Sequence, residues 1–101
     1  MKKIINRRRY DTETAEKVGE YEYGTFTDDF HYYREFLYKK VTGEFFLCGW
    51  GGALSPWAES LPDGSAPGEG IRPLDVADAQ DWVEAHADAD VYERLFGEVP
   101  E

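Results

Sequence analysis

His31, His86 and Cys48 are the side chains of this chain best suited to proton transfer or nucleophilic attack near neutral pH. His31 lies two residues after Asp29 at the start of an aromatic segment. It would form a Cys/His pair with Cys48 if two strands brought them together, though nothing in the spacing requires it. His86 sits at the border of an apolar helix face and reads as a packed structural histidine. Cys48, inside the run Phe45-Phe46-Leu47-Cys48, reads as a small apolar strand residue rather than a reactive thiol. A single cysteine cannot close a disulfide within the chain, and two histidines give no repeated Cys/His spacing for zinc. The glycines at 49, 51 and 52 raise the question of phosphate binding. No Lys-Ser/Thr follows them and the dinucleotide spacing is missing, so they read as a tight turn that lays Leu54 and Trp57 on the core. Asp75, Asp78, Asp81 and Glu84 rotate around a helix instead of converging as a calcium loop does. No catalytic residue, metal ligand or cofactor is therefore assigned, and an enzyme is the least favoured class.

The chemistry that remains is recognition by charge. The chain of 101 residues carries a net charge of −10. Residues 1–48 hold nine bases and nine acids, whereas residues 49–101 hold two bases and twelve acids, so the whole excess lies in the second half. Binding to nucleic acid depends largely on lysine and arginine releasing counterions, so direct nucleic-acid binding is not expected of the chain as a whole. A basic protein surface is the better partner. The cluster Lys2, Lys3, Arg7, Arg8 and Arg9 is the exception, able to touch phosphate but read first as a solvated strand offsetting nearby acids. The candidate partner-binding residues are Asp75, Asp78, Asp81, Glu84, Asp88 and Asp90. A helix advances about 4.5 Å per three residues, and one DNA strand presents a phosphate about every 3.4 Å. An acidic helix face is thus dense enough to compete for a lysine/arginine groove. Sixteen aromatic residues, many between Phe30 and Phe46, offer a second kind of contact: a sheet face for a protein partner or a homodimer.

These residues need elements to position them. Val76, Ala79, Trp82, Val83, His86 and Ala87 share one side of a helix that begins after Asp75, with the acids opposite. Asp75 is placed to cap it, with Asp78 at the third helical position and Leu74 and Ala79 at the staple positions. A second helix from about Asp88 to Phe96 pairs Val91 with Leu95 and Tyr92 with Phe96, and Gly97 ends it. The segment Phe30 to Trp50 reads as a hairpin turning at Gly43, with Phe45 and Leu47 on one face and Phe46, Cys48 and Trp50 on the other. Met1 to Tyr10 suggests a strand, Thr12 to Val18 a short helix stopped by Gly19, and Glu20 to Asp29 an irregular or short-strand segment. Ser60 to Gly70 reads as a Pro/Gly loop before a short strand at Ile71 to Leu74. The expected fold is one α+β domain over 1–101: a small antiparallel sheet (hairpin 30–50 plus N-terminal strand) packed by a short N-terminal helix and two C-terminal helices. No apolar run is long enough to span a bilayer and no leader pattern is present, so a cytoplasmic protein is expected.

Several stretches carry a resemblance. They are Ile4-Ile5-Asn6 with Arg9-Tyr10-Asp11-Thr12-Glu13-Thr14-Ala15, then Leu37-Tyr38-Lys39-Lys40 with Gly43-Glu44-Phe45-Phe46-Leu47. Gly51-Gly52-Ala53-Leu54-Ser55 follows, and then Ile71-Arg72-Pro73-Leu74 with Ala79, Trp82 and Glu84. In these the chain resembles small acidic proteins encoded on bacterial phages and mobile elements, and proteins of that style are similar to anti-CRISPR inhibitors. The resemblance implies a non-enzymatic inhibitor in a bacterial host cell. Its partner would be a CRISPR-Cas effector whose basic nucleic-acid-binding surface is covered, so that target DNA is not recognised. The motifs are not catalytic, and no binding residue is carried over from them. A protein-interaction adaptor or dimer using the aromatic face, and a small nucleic-acid-associated regulator using the basic cluster, are the alternatives.

Overall fold

Alternation of aromatic and polar residues builds the centre of the structure, a computed structural model that describes residues 1–101. The strands in chain order are β1 (Lys2–Ile5), β2 (Arg8–Asp11), β3 (Glu16–Tyr23), β4 (Tyr33–Lys39), β5 (Phe45–Gly51), β6 (Glu59–Leu61), β7 (Gly64–Ala66) and β8 (Gly68–Leu74). Two helices follow, α1 (Val76–His86) and α2 (Ala89–Phe96). The main sheet has the order β3-β4-β5-β8 with every neighbour antiparallel. β1 and β2 form a separate hairpin, and β6 and β7 a smaller one.

The central hairpin stands as expected, with β4 and β5 joined through Gly43 at φ +96°. Period-two geometry sends Leu37, Phe45 and Leu47 to one face, where they pack with Trp57, Ala79, Trp82 and Val83. Phe46 points the other way, stacked on Tyr38 at 5.2 Å and met edge-on by Tyr10 at 5.5 Å. The C-terminal helices also form as expected. Asp75 accepts a bond from the Asp78 N–H at 2.7 Å, Asp88 accepts one from the Val91 N–H at 3.0 Å, and Gly97 ends α2 at φ +90°. Trp82 and Val83 hold α1 on the sheet, each contributing about 1.5–3 kcal/mol by burial. Val76, expected on that apolar face, is exposed.

Four expectations are corrected. First, there is no N-terminal helix: residues 12–14 turn and Glu16–Tyr23 is an edge strand of the main sheet. Ala15, Glu16 and Lys17 are good helix formers, but the expected segment, Thr12 to Val18, is too short to form a helix unaided. The alternating Glu20, Tyr21, Glu22 and Tyr23 pair along β4 instead. Second, the N-terminal strand does not join the main sheet. It folds back on β2 through a two-residue turn at Asn6 and Arg7, φ 51° and 65°. Two successive positive φ values fit the primed turn that matches strand twist. Arginine at such a position costs roughly 1–2 kcal/mol relative to glycine. Third, the 60–70 stretch is not simple loop, because it holds the β6–β7 hairpin, and the strand that follows begins at Gly68 and spans the full length of β5. Fourth, Gly49 and Gly51 lie within β5 rather than in a turn, and Leu54 is exposed, while Trp57 is buried as expected.

Two glycines, Gly49 and Gly19, serve close packing on the helical face. Trp57 lies on Gly49, where an added Cβ would fall 2.1 Å from its ring. Trp82 lies on Gly19 of β3, where an added Cβ would fall 2.9 Å away. Between the two indoles, on β4, is Glu35, the one charged side chain buried in the core at 6% exposure.

Candidate functional site

The six candidate partner-binding residues come from the two helices and their caps. Asp75 and Asp88 are N-caps, so one oxygen of each is already committed to a backbone N–H. Asp78, Asp81 and Glu84 follow one another at three-residue steps along the exposed side of α1, and Asp90 lies in the first turn of α2. All six are exposed and none is in an ion pair. The helix dipole is favourable to Asp78 and Asp90 in their first turns, and leaves their charge facing solvent.

Where α1 meets α2, an open groove of about 370 Å³ forms, which charge counting along the sequence did not reveal. Val83, Ala87, Tyr92 and Val99 give it an apolar floor, and Glu84, Asp88 and Glu93 line it with carboxylates. A lysine or arginine side chain suits that combination, its methylene stem on the floor and its charged head at the carboxylates. Glu93, in the second turn of α2, is not among the six candidates. Only the turn between the helices, set by the Asp88 cap, brings it beside Glu84.

The basic cluster lies on the other side of the sheet. Tyr10 packs on Phe46, whereas the helices pack on the face carrying Phe45 and Leu47. From the hairpin tip along β2, Arg7, Arg8 and Arg9 meet the β4–β5 turn around an open groove of about 400 Å³ that also includes Lys40, Asp11 and Glu44. Lys40 Nζ stands 3.7 Å from the centre of the Tyr10 ring. Glu44 gathers Arg8 and Lys40 at 3.5 Å each and the Thr42 hydroxyl at 3.1 Å. Burial opposes ionisation of this carboxyl, but the Thr42 bond together with Lys40 and Arg8 holds its pKa below the usual value.

The aromatic residues divide between core and surface. Glu35 takes one indole N–H on each oxygen, from Trp57 at 2.8 Å and from Trp82 at 2.9 Å. Both of its oxygens are thereby committed to holding the two indoles in the core. His86 is half-buried, stacked on Tyr21 at 3.8 Å and edge-on to Trp82 at 5.2 Å, which matches the packed histidine expected from its helix position. At one end of the sheet, Tyr23, Phe26, Phe30 and Leu54 are exposed, and the Leu54 N–H bonds the Phe30 carbonyl at 2.9 Å to hold the two loops together.

The Cys/His pairing does not form. His31 bonds its own loop through Asp29, while the charged groups acting on Cys48 are the terminal amine, Glu69 and Lys3. Burial pushes the Cys48 thiol above its ordinary pKa. At pH 8 iodoacetamide should therefore modify Cys48 far more slowly in the folded chain than in urea; equal rates would show an accessible thiolate. No three His, Cys, Asp or Glu side chains converge to hold a metal ion. No helix is long and apolar enough to cross a membrane.

No protein-family model, curated protein or solved structure matches this chain.

Proposed function

We propose that the chain is a non-enzymatic inhibitor that presents the acidic α1–α2 surface to a basic nucleic-acid-binding groove of another protein, standing in for DNA. The observation that carries this reading is that none of the six exposed carboxylates is in an ion pair, and that two of them, Glu84 and Asp88, line the apolar-floored groove between the helices. A carboxylate row held by a capped helix needs no ordering on binding, which limits the entropy cost of docking. The partner class, a CRISPR-Cas effector in the bacterial cytoplasm whose target recognition is blocked, follows from the resemblance of the sequence to anti-CRISPR proteins.

The test is capture from a lysate of a CRISPR-carrying bacterium, with the chain and the Asp78→Asn/Asp81→Asn/Glu84→Gln variant as baits. The three side chains are exposed and cap neither helix, so the variant should fold. Loss of three rim charges should weaken binding to a basic effector by roughly ten- to a hundredfold, with affinity also falling as salt rises. Equal recovery by both baits would rule out this face.

A second reading is favoured by the exposed Tyr23, Phe26, Phe30 and Leu54. An adaptor or dimer using that end would lose its partner on Phe26→Ser/Phe30→Ser and show little salt dependence.

A further inference from the structure

We propose that the tip of the N-terminal hairpin is a second binding site, specific for the phosphodiester backbone of nucleic acid and independent of the acidic face. The net charge of −10 argues against such binding only if the charge is spread evenly. It is not, because the acidic helices and the basic hairpin pack on opposite faces of the main sheet. Packed layers lie about 10 Å apart, and physiological salt screens exposed charge over about 8 Å.

Three features at the tip point to phosphate. Arg7 occupies a left-handed position, φ 65°, where glycine is the favoured residue, and its strained backbone carries a guanidinium at the end of a two-residue turn. Arg7 and Arg9 make no ion pair, while Arg8 and Lys40 share the single Glu44. The other acid of the groove, Asp11, turns a carboxylate oxygen to the Glu13 N–H. The groove is otherwise lined by hydroxyls and aliphatic groups and contains no aromatic side chain. Base stacking therefore has no platform, and the contact is to backbone phosphates regardless of sequence.

The test is fluorescence anisotropy at 50 mM salt with two labelled probes, a 20-nucleotide RNA and a 20-base-pair DNA duplex. The wild-type chain should raise the anisotropy of at least one probe, and a preference between them identifies the source of the backbone. Arg7→Gly should raise the melting temperature by relieving the left-handed strain and yet weaken binding by about threefold to tenfold, with a salt slope lower by about 1. Arg7→Gly/Arg9→Gln should lower that slope by about 2. The Asp78→Asn/Asp81→Asn/Glu84→Gln variant should bind these probes as tightly as wild type or more so, which separates this site from the acidic-face reading. No binding of either probe by the wild type, or unchanged binding by the arginine variants, would overturn the proposal.

Discussion

Replacing Glu35 by alanine should lower the stability of the domain by roughly 3–5 kcal/mol, through two buried indole N–H groups left without acceptors and the loss of packed methylenes. In a domain of this length that corresponds to a melting temperature lower by roughly 15–25 °C. Both donors lie in the core: Trp57 and Trp82 are 8% and 7% exposed, so water reaches neither freely. The isosteric Glu35→Gln is the sharper experiment. A carboxylate accepts on both oxygens, as it does here at 2.8 and 2.9 Å, whereas an amide accepts on one side and presents N–H on the other. One indole would then face a donor, and the variant should lose about 1–3 kcal/mol despite its unchanged shape. Urea unfolding followed by tryptophan fluorescence reads both variants. A Gln variant as stable as wild type would show that only one of the two bonds matters.

Gly49→Ala should destabilise by about 2–4 kcal/mol, because the new methyl would lie 2.1 Å from Cε2 and 2.4 Å from Nε1 of Trp57. The indole cannot give way cheaply. Its N–H is fixed on Glu35 and its ring face carries Arg72 at 4.6 Å. Gly70 faces Gly49 across the β5–β8 register, but an added Cβ there would meet the same ring at 3.7 Å, an ordinary contact. Gly70→Ala should therefore change stability by less than about 1 kcal/mol. The double variant Trp57→Ala/Gly49→Ala should be no less stable than Trp57→Ala alone, because the clash partner is gone. If Gly49→Ala costs the same with and without Trp57, backbone conformation rather than indole contact is the reason for the glycine.

Some of this was legible in the sequence because the signal was local. The aromatic alternation of 30–50 and its Gly43 turn specified a hairpin. The Asp75 and Asp88 caps and the Gly97 stop bounded two helices. The apolar stripe of Ala79, Trp82 and Val83 named the buried side of α1. The exposure of Asp78, Asp81 and Glu84 was likewise readable, since it follows from the same helical period.

What the chain could not announce depends on partners far away in sequence. Glu16–Tyr23 is a strand because β4 offers it an edge, and local helix propensity of a few tenths of a kcal/mol per residue does not outweigh a full ladder of hydrogen bonds. Glu35 looks like any surface glutamate of an alternating strand until Trp57 and Trp82, 22 and 47 residues away, close on it. Net charge was fixed by composition alone. Its division into an acidic helical side and a basic hairpin side was decided by the sheet between them, through the opposite directions of Phe45 and Phe46.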